Sequence, residues 1–182
     1  MKKITKGFTL IELLIVIALL GALAVALLAA LDPLEQIKKG TDTGVRNTVA
    51  EISGSIIRYA SVKSGSMPYT STIAWGPVGT TGTSPAYTSI QNVIDAGELK
   101  ADFFSLSRDQ LDKIYVIAGP SRSYICFAPG AKSFKVDANT KFVAPSFVSG
   151  EATMAEGTCA NGTLTSATGG AAVGDTCYWC VR

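Results

Sequence analysis

Residues 1–33 read MKKITKGFTLIELLIVIALLGALAVALLAALDP, and this stretch decides how the chain is organised. Between residues 8 and 31 the only charged residue is Glu12. The uninterrupted apolar run at 13–31 would be about 28 Å long as a helix, which suits a membrane hydrocarbon core of about 30 Å. The run is apolar on all faces and the rest of the chain is too small to wrap it, which disfavours a buried soluble helix. The sequence therefore predicts a membrane-spanning helix.

A cleaved secretory signal is the alternative interpretation of this stretch. Such signals combine a basic start, an apolar stretch and a small-residue cleavage site after it. Ala22, Ala24 and Ala26 could imitate that site. The apolar run continues past these alanines and passes into a long amphipathic helix, with no obvious break for processing. We therefore expect the apolar helix to be retained.

The start of the apolar run, KGFTLIEL at residues 6–13, resembles the prepilin cleavage and methylation motif of type IV pilins and related secretion pseudopilins. The shared pattern is a short basic leader, a glycine, the letters FTLIE and a long apolar helix. The resemblance implies cleavage between Gly7 and Phe8 by a prepilin peptidase on the cytoplasmic side. It also implies N-methylation of the new amine on Phe8 and retention of the apolar helix.

Glu12 is expected to have a partner, because a lone carboxylate near the end of an apolar helix is costly in lipid. Cleavage after Gly7 would create a positive amine on Phe8, which lies four residues from Glu12 and shares its face within one helix. In a staggered bundle, Glu12 would instead pair with the amine of a neighbouring copy and fix the axial register. The alternative is a glutamate that merely reaches back to the headgroup region. The resemblance favours the pairing role.

The distribution of charge fits a membrane protein with a basic cytoplasmic end. The chain has 16 basic and 14 acidic residues, for a net charge of +2. Lys2, Lys3 and Lys6 all precede Phe8, so the part after the leader holds 13 basic and 14 acidic residues. Lysines before a membrane segment follow the positive-inside bias. No basic stripe is present elsewhere, so direct nucleic-acid binding is not expected.

Pro33 is expected to kink the helix near residues 29–33, because proline lacks a backbone donor and clashes with the carbonyl four residues earlier. Gly21 is a second weak point. Pilins similar to this chain often lose helix locally between the apolar and amphipathic halves during assembly. We predict that residues 21–33 are where this chain would do so.

Beyond the proline the pattern becomes amphipathic. Five apolar residues are spaced by four, three, four and three positions, which places them on one helix face: Val45, Val49, Ile52, Ile56 and Tyr59. The run ends at the Gly/Ser-rich residues 64–66, which Pro68 follows. We expect this half of the helix, over residues 33–64, to pack its apolar face on a sheet.

Residues 64–88 are rich in Gly, Ser, Thr and Pro, which predicts a long surface loop. Tyr69 and Trp75 within it are interpreted as residues that pin the loop to the domain. A short helix follows, in which Thr88 and Gln91 have capping-box spacing. Its apolar side is Ile90, Val93 and Ile94, and its expected end is Gly97.

Later segments favour a little more helix and then a sheet. Ser107 and Gln110 repeat the capping spacing before Leu111, which marks a further turn of helix. Residues 149–175 are read as a loop rich in Gly, Ala and Thr. Strand patterns occur at 113–118, 123–128, 133–136, 141–148 and 176–181.

The predicted fold class is α+β, with a long N-terminal α-helix packed on a C-terminal antiparallel β-sheet, as the resemblance to type IV pilins also implies. The chain is divided into a leader at 1–7, an apolar helix at 8–32, an amphipathic half at 33–64 and a globular head at 65–182.

The chain has four cysteines and no histidine: Cys126, Cys159, Cys177 and Cys180. In an oxidising space they predict up to two disulfides, with three connectivities open. The alternative is a four-thiolate zinc site, but only Cys177 and Cys180 have close ligand spacing. A bond between Cys159 and Cys177 would tether a loop that has little apolar surface to bury. It would contribute about 3 kcal/mol to the free energy of unfolding. Cys126 would then pair with Cys180.

No residue set predicts catalysis, a cofactor or a metal site. The chain has no phosphate-binding loop or paired-carboxylate motif, so an enzyme is not expected. Asp102, Asp109 and Asp112 are interpreted as a solvated helix face, and no loop matches a calcium site. Residues 161–163 (NGT) fit a glycosylation sequon, a short pattern that also arises by chance.

The sequence therefore predicts a structural subunit of a type IV pilus-like surface filament that serves adhesion, twitching motility or DNA uptake. Its expected partners are further copies in a helical homopolymer, the prepilin peptidase and methyltransferase, membrane lipid before assembly, and the assembly machinery. We expect a single-pass precursor in the inner membrane and then an extracellular filament. The alternatives are a minor pilin or type II secretion pseudopilin, and a membrane-anchored binding domain that does not polymerise.

Overall fold

The structure, a computed structural model, describes residues 7–80, 82–160, 162–168 and 176–182. The chain divides into two compact units, Met1–Ile37 and Lys38–Arg182. The boundary falls inside the amphipathic helix. The architecture is a long apolar helix, a second long helix and an antiparallel sheet, which confirms the predicted α+β class.

The N-terminal unit consists of helix α1, Leu10–Ala30, and the first turn of helix α2, Pro33–Val62. No residue of α1 is buried in the structure. The helix stops because Leu31 adopts an extended backbone, with φ −96° and ψ 132°. Pro33 is the first residue of α2, a position where its missing N–H costs no hydrogen bond. The helix is therefore interrupted at residues 31 and 32, inside the segment where the sequence predicts a kink.

In the C-terminal unit, α2 packs the face that the sequence predicts. Val45, Val49, Ile52 and Ile56 are at most 6% exposed, and Tyr59 is half-buried against the same cluster. This confirms the periodicity argument, because spacings of four and three residues bring side chains to one side of a helix. The face packs on one side of the sheet, with partners that include Val116, Ile125 and Trp179.

Within the described residues the sheet has seven strands, and each pairing between them is antiparallel. The strands are β1 Ile73–Pro77, β2 Ile114–Ala118, β3 Ser123–Phe127, β4 Thr140–Val148, β5 Glu151–Ala160, β6 Thr163–Thr168 and β7 Tyr178–Val181. Their order across the sheet is β1-β2-β3-β7-β4-β5-β6. The last strand in sequence thus lies in the middle of the sheet.

The hairpin of β4 and β5 covers the side of the sheet opposite α2. Alternate residues of β2 and β3, such as Ile117 and Tyr124, point away from α2 and form a second cluster with Ala152 and Met154 of β5. The hairpin reaches this cluster because β4 pairs with β7 only over its first residues, and its register shifts near Phe142. The sheet is therefore buried on both sides, by α2 and by its own hairpin.

Three further helices complete the unit: α3 Pro85–Asp95, α4 Phe103–Leu111 and α5 Lys132–Lys135. The cap predicted at Thr88 was wrong. Ser84 caps α3, since its Oγ accepts a 3.0 Å hydrogen bond from the backbone nitrogen of Tyr87. Ser107 likewise lies buried inside α4 rather than at its start. Gly97 follows α3 with φ +80°, a conformation that glycine adopts without strain, as predicted.

Two of the predicted loops contain strands. The segment 64–88 includes β1, where Ile73 is 3% exposed, and Tyr69 and Trp75 pin it as predicted. The Tyr69 hydroxyl donates to the Gly119 carbonyl at 3.0 Å, and Trp75 stacks on Tyr115 with ring centroids 5.3 Å apart.

The segment 149–175 is also not simply a loop. Its described part contains β5 and β6, which pair with each other, and β5 pairs with β4 as well. Conversely, the strand predicted at 133–136 is helical, because α5 occupies Lys132–Lys135. β5 and β6 pair with their neighbours along the chain through tight hairpins, so their Gly, Ala and Thr content concealed these strands from the sequence pattern.

Candidate functional site

The predicted cleavage site lies outside the helix. Gly7 and Phe8 precede the N-cap residue Thr9, and Phe8 is 81% exposed. A backbone segment without helical hydrogen bonds is the kind that a peptidase can bind in extended form. The peptide bond between Gly7 and Phe8 is thus presented immediately before α1.

Thr9 and Glu12 form a capping box at the start of α1. The Thr9 hydroxyl accepts a 3.3 Å hydrogen bond from the backbone nitrogen of Glu12. In return, the Glu12 carboxylate accepts from the Thr9 backbone nitrogen at 2.9 Å and from the Thr9 hydroxyl at 2.7 Å. These reciprocal bonds satisfy donors that the first turn of a helix leaves unpaired.

Thr9 was not among the predicted site residues, although a threonine followed three residues later by a glutamate is a recognisable capping signal. The capping box places the negative charge of Glu12 at the positive end of the helix dipole. Both bonds to Thr9 use the same carboxylate oxygen, Oε2. The carboxylate therefore keeps capacity to accept a bond from a cationic group.

Phe8 and Glu12 do not share a helix face in this structure. The helix begins at Leu10, and Thr9 has the extended angles φ −82° and ψ 150°. Phe8 therefore precedes the helix and does not occupy a position on its face. An amine on Phe8 would share a face with Glu12 only if residues 8 and 9 joined the helix, whereas a pair between two copies needs no such change.

Helix α1 is the one helix within the described residues that is long and apolar enough to cross a membrane. Its large side chains are between 46% and 82% exposed. An apolar surface of this extent is not stable in water and requires lipid or other helices around it. The arrangement is thus a lone carboxylate at one end of an uncovered apolar helix.

The four cysteines form two disulfides. Cys126 of β3 is bonded to Cys180 of β7, its direct cross-strand neighbour. Cys159 of β5 is bonded to Cys177, which precedes β7. These are the two pairs named from the sequence, and they engage all four sulfurs, so none is left as a thiolate for zinc.

The other candidate residues form no site. No group of three or more His, Cys, Asp or Glu side chains comes together within the part of the chain that the structure describes. Asp102, Asp109 and Asp112 are exposed, as expected for a solvated face. Asn161, the acceptor of the predicted sequon, lies outside the described residues.

The fold and the N-terminal geometry define a class of protein in which an apolar helix can anchor an α+β domain in a membrane. Residues 2–28 of the chain match the prokaryotic N-terminal methylation motif. This motif is the signal of type IV pilins and pseudopilins, and it confirms the resemblance found in the sequence. No curated protein and no solved structure matches the chain.

The match spans the leader, the cleavage site, Glu12 and most of α1. It supports a membrane-anchored precursor of the type IV pilin or pseudopilin kind. The motif implies processing by a prepilin peptidase and entry into pilus-type assembly machinery. Proteins with this signal are usually structural rather than enzymatic.

Proposed function

We propose that this chain is a structural subunit of a type IV pilus-like filament, in which α1 of each copy packs against α1 of its neighbours. The observation that carries the proposal is the uncovered apolar helix α1, whose carboxylate, Glu12, is the fifth residue after the motif's cleavage site. On leaving lipid, such a helix needs other apolar helices around it. The C-terminal unit, by contrast, has its own buried core and two disulfides.

Glu12 sets the axial register between copies in this proposal. Cleavage after Gly7 converts the backbone amide of Phe8 into a charged amine, which the methyltransferase then methylates. An unpaired carboxylate inside an apolar bundle is costly, and the amine of a neighbouring copy neutralises it. Only one stagger of two α1 helices brings the two groups together, so the charge pair selects that stagger.

The interruption before Pro33 gives the two halves of the helix separate roles. α1 is continuous in this chain through Gly21 and up to Ala30. We propose that residues 21–33 lose helix on assembly, which allows α1 to follow the bundle while α2 stays with the head. The filament serves adhesion, twitching motility or DNA uptake at the cell surface.

Replacement of Glu12 tests the proposal. In Glu12→Gln, filaments sheared from the cells should largely disappear while the membrane level of the protein is maintained. The control is Glu51→Gln, an exposed carboxylate of α2 whose loss should leave the filament yield unchanged. Normal filaments from Glu12→Gln would refute the register role. If the unaltered protein stays in the membrane and forms no filament, it is a membrane-anchored binding domain.

Gly7 gives an independent test of processing. A Cβ atom added at Gly7 would meet no atom within 4 Å, so Gly7→Ala leaves the fold unstrained. Accumulation of uncleaved precursor in Gly7→Ala would thus report recognition by the peptidase rather than misfolding. Abundance separates a major subunit from the alternatives, since a minor pilin or a pseudopilin would be a trace component of sheared filaments.

A further inference from the structure

An open groove of about 480 Å³ lies between the C-terminal end of α2 and one end of the sheet. Its apolar lining includes Ile56, Ile57 and Met67. Ile57 is 59% exposed, which is high for a large aliphatic side chain of a folded domain. The groove therefore presents apolar surface that the head itself does not cover.

Two arginines mark the same groove as a positive site. Arg122, in the turn between β2 and β3, and Arg182, after β7, both line it and are exposed. Neither forms an ion pair within the described residues. The carboxylate found beside the groove is Glu151, which accepts hydrogen bonds from the backbone nitrogen and hydroxyl of Ser121. The side chains of the rim are thus two guanidinium groups against one carboxylate, a positive balance around an apolar floor.

Helix α4 carries the complementary surface elsewhere on the head. Leu106 is 68% exposed. Asp102, four residues earlier, and Asp109, three residues later, share its helix face and are also exposed. This surface, which we call the α4 knob, is one apolar side chain between two carboxylates.

We infer that the groove of one head binds the α4 knob of a second copy, with Leu106 against the apolar floor and the two aspartates facing Arg122 and Arg182. The inference rests on the proposed filament function. The two surfaces share no residue, so the contact is heterologous: each copy offers its groove to one neighbour and its α4 knob to another. Repetition of such a contact with a rotation that does not close builds an open helical assembly, the form that a filament requires.

The contact also gives the heads a role in setting the axial register, in addition to that of Glu12 in α1. Apolar helices in a bundle can slide past one another with little change in apolar contact. The α4 knob, by contrast, brings its two aspartates next to the two arginines at only one position in the groove. The head contact and the Glu12 pair would then specify the same stagger from the two ends of the subunit.

Cysteine cross-linking of assembled filaments tests the contact. In full-length Ile57→Cys/Leu106→Cys, mild oxidation of sheared filaments should give a ladder of covalent multimers on non-reducing gels. Each single variant should remain monomeric. The matched control is Val136→Cys/Leu106→Cys, because Val136 is as exposed as Leu106 at 68% but does not line the groove. This control should give no ladder.

Failure of this contact is distinguishable from failure of the proposed function. Filaments that depend on Glu12 but give no ladder in the double variant would overturn the head contact alone. Dimers from Leu106→Cys alone would show a symmetric contact instead, and a mixed disulfide of Ile57→Cys with another protein would show a different occupant. Either result overturns the inference, whereas absence of filaments from the unaltered chain overturns both proposals.

Charge reversal provides a second readout. Arg122→Glu/Arg182→Glu should lose most of its sheared filament, while the level of folded subunit in the membrane is kept. Adding Asp102→Lys/Asp109→Lys to the same chain should restore filament, because the charges match again. A reversed-charge variant with normal filaments, or one that the second reversal fails to restore, would contradict the contact.

Discussion

The Oδ2 atom of Asp42 lies 2.7 Å from the backbone nitrogen of Ala131 and accepts its hydrogen bond, joining α2 to the start of α5 across 89 residues of sequence. The same oxygen accepts a second bond from Gly130, at 2.9 Å. Asp42 is 6% exposed. The buried carboxylate of Asp42 therefore fixes the loop before α5 to helix α2.

Removal of this carboxylate should destabilise the head. Asp42→Ala leaves two amides without their acceptor, and we expect a loss of about 3 kcal/mol in the free energy of unfolding. Asp42→Asn keeps a carbonyl acceptor and should lose only about 1 kcal/mol. Denaturant unfolding of the full chain in detergent measures both. The control Asp109→Ala is exposed, and equal stability of Asp42→Ala and this control would refute the anchoring role.

Gly119 should not tolerate a side chain. A Cβ atom there would lie 2.5 Å from the backbone nitrogen of Ala152 and 2.8 Å from the Cα of Glu151. Since both are backbone atoms, the β4–β5 hairpin must move, and Gly119→Ala should lose about 2 kcal/mol or more. The control is Gly40→Ala in α2, which meets nothing within 4 Å and should gain about 1 kcal/mol. Equal melting temperatures for the two variants would contradict this packing.

The two disulfides should differ in their contribution to stability. The bond between Cys126 and Cys180 spans 54 residues, and the bond between Cys159 and Cys177 spans 18. By loop-closure entropy, replacing each pair with alanine should cost about 4 and about 3 kcal/mol respectively. Cys126 and Cys177 are both fully buried, so removal of either pair adds a packing loss and the loop lengths set the expected order. A larger loss on removal of the 159–177 pair would contradict this order.

The Tyr69 phenol should make stability depend on pH in the alkaline range. Burial, and secondarily the charge of Glu151, raise its pKa from 10.0 to about 12. The folded state thus holds this proton more tightly, so the contribution is full below pH 10 and is lost as the pH rises to about 12. Tyr69→Phe should be less stable near neutral pH by about 1 kcal/mol, because the bond to Gly119 is lost.

The check is unfolding measured across this pH range together with phenolate absorbance. The difference in stability between the unaltered chain and Tyr69→Phe should shrink above pH 10. A difference that stays constant between pH 10 and pH 12 would show that Tyr69 titrates normally.

Local patterns were sufficient where one helix or one short motif decides the structure. The apolar run predicted α1, and the four-and-three spacing from Val45 to Tyr59 predicted the buried face of α2. The FTLIE letters predicted the motif that residues 2–28 match, whereas the roles of Gly7, Phe8 and Glu12 stay predictions. Two helix-capping residues were missed although their signals are also local. Ser84 before Pro85 is a good helix start, and Thr9 with Glu12 has capping-box spacing.

The remaining errors have a physical cause outside the segment concerned. Residues 133–136 alternate like a strand, yet the bonds of Asp42 to Gly130 and Ala131 hold the preceding loop so that a helical turn follows. The Ala/Thr-rich β5 is a strand because β4 pairs with it and the disulfide from Cys159 to Cys177 holds it. The partner of Glu12 also lies outside its own segment, since we propose that it is the Phe8 amine of another copy of the chain.

Processing at Gly7 followed by polymerisation is tested most directly by mass spectrometry of the protein sheared from cells. We predict a mature chain that begins at Phe8 and carries about 14 Da for one methyl group. A chain that still begins at Met1, or one that begins beyond Ala22, would contradict it, because the first is a plain membrane anchor and the second an ordinary secreted domain.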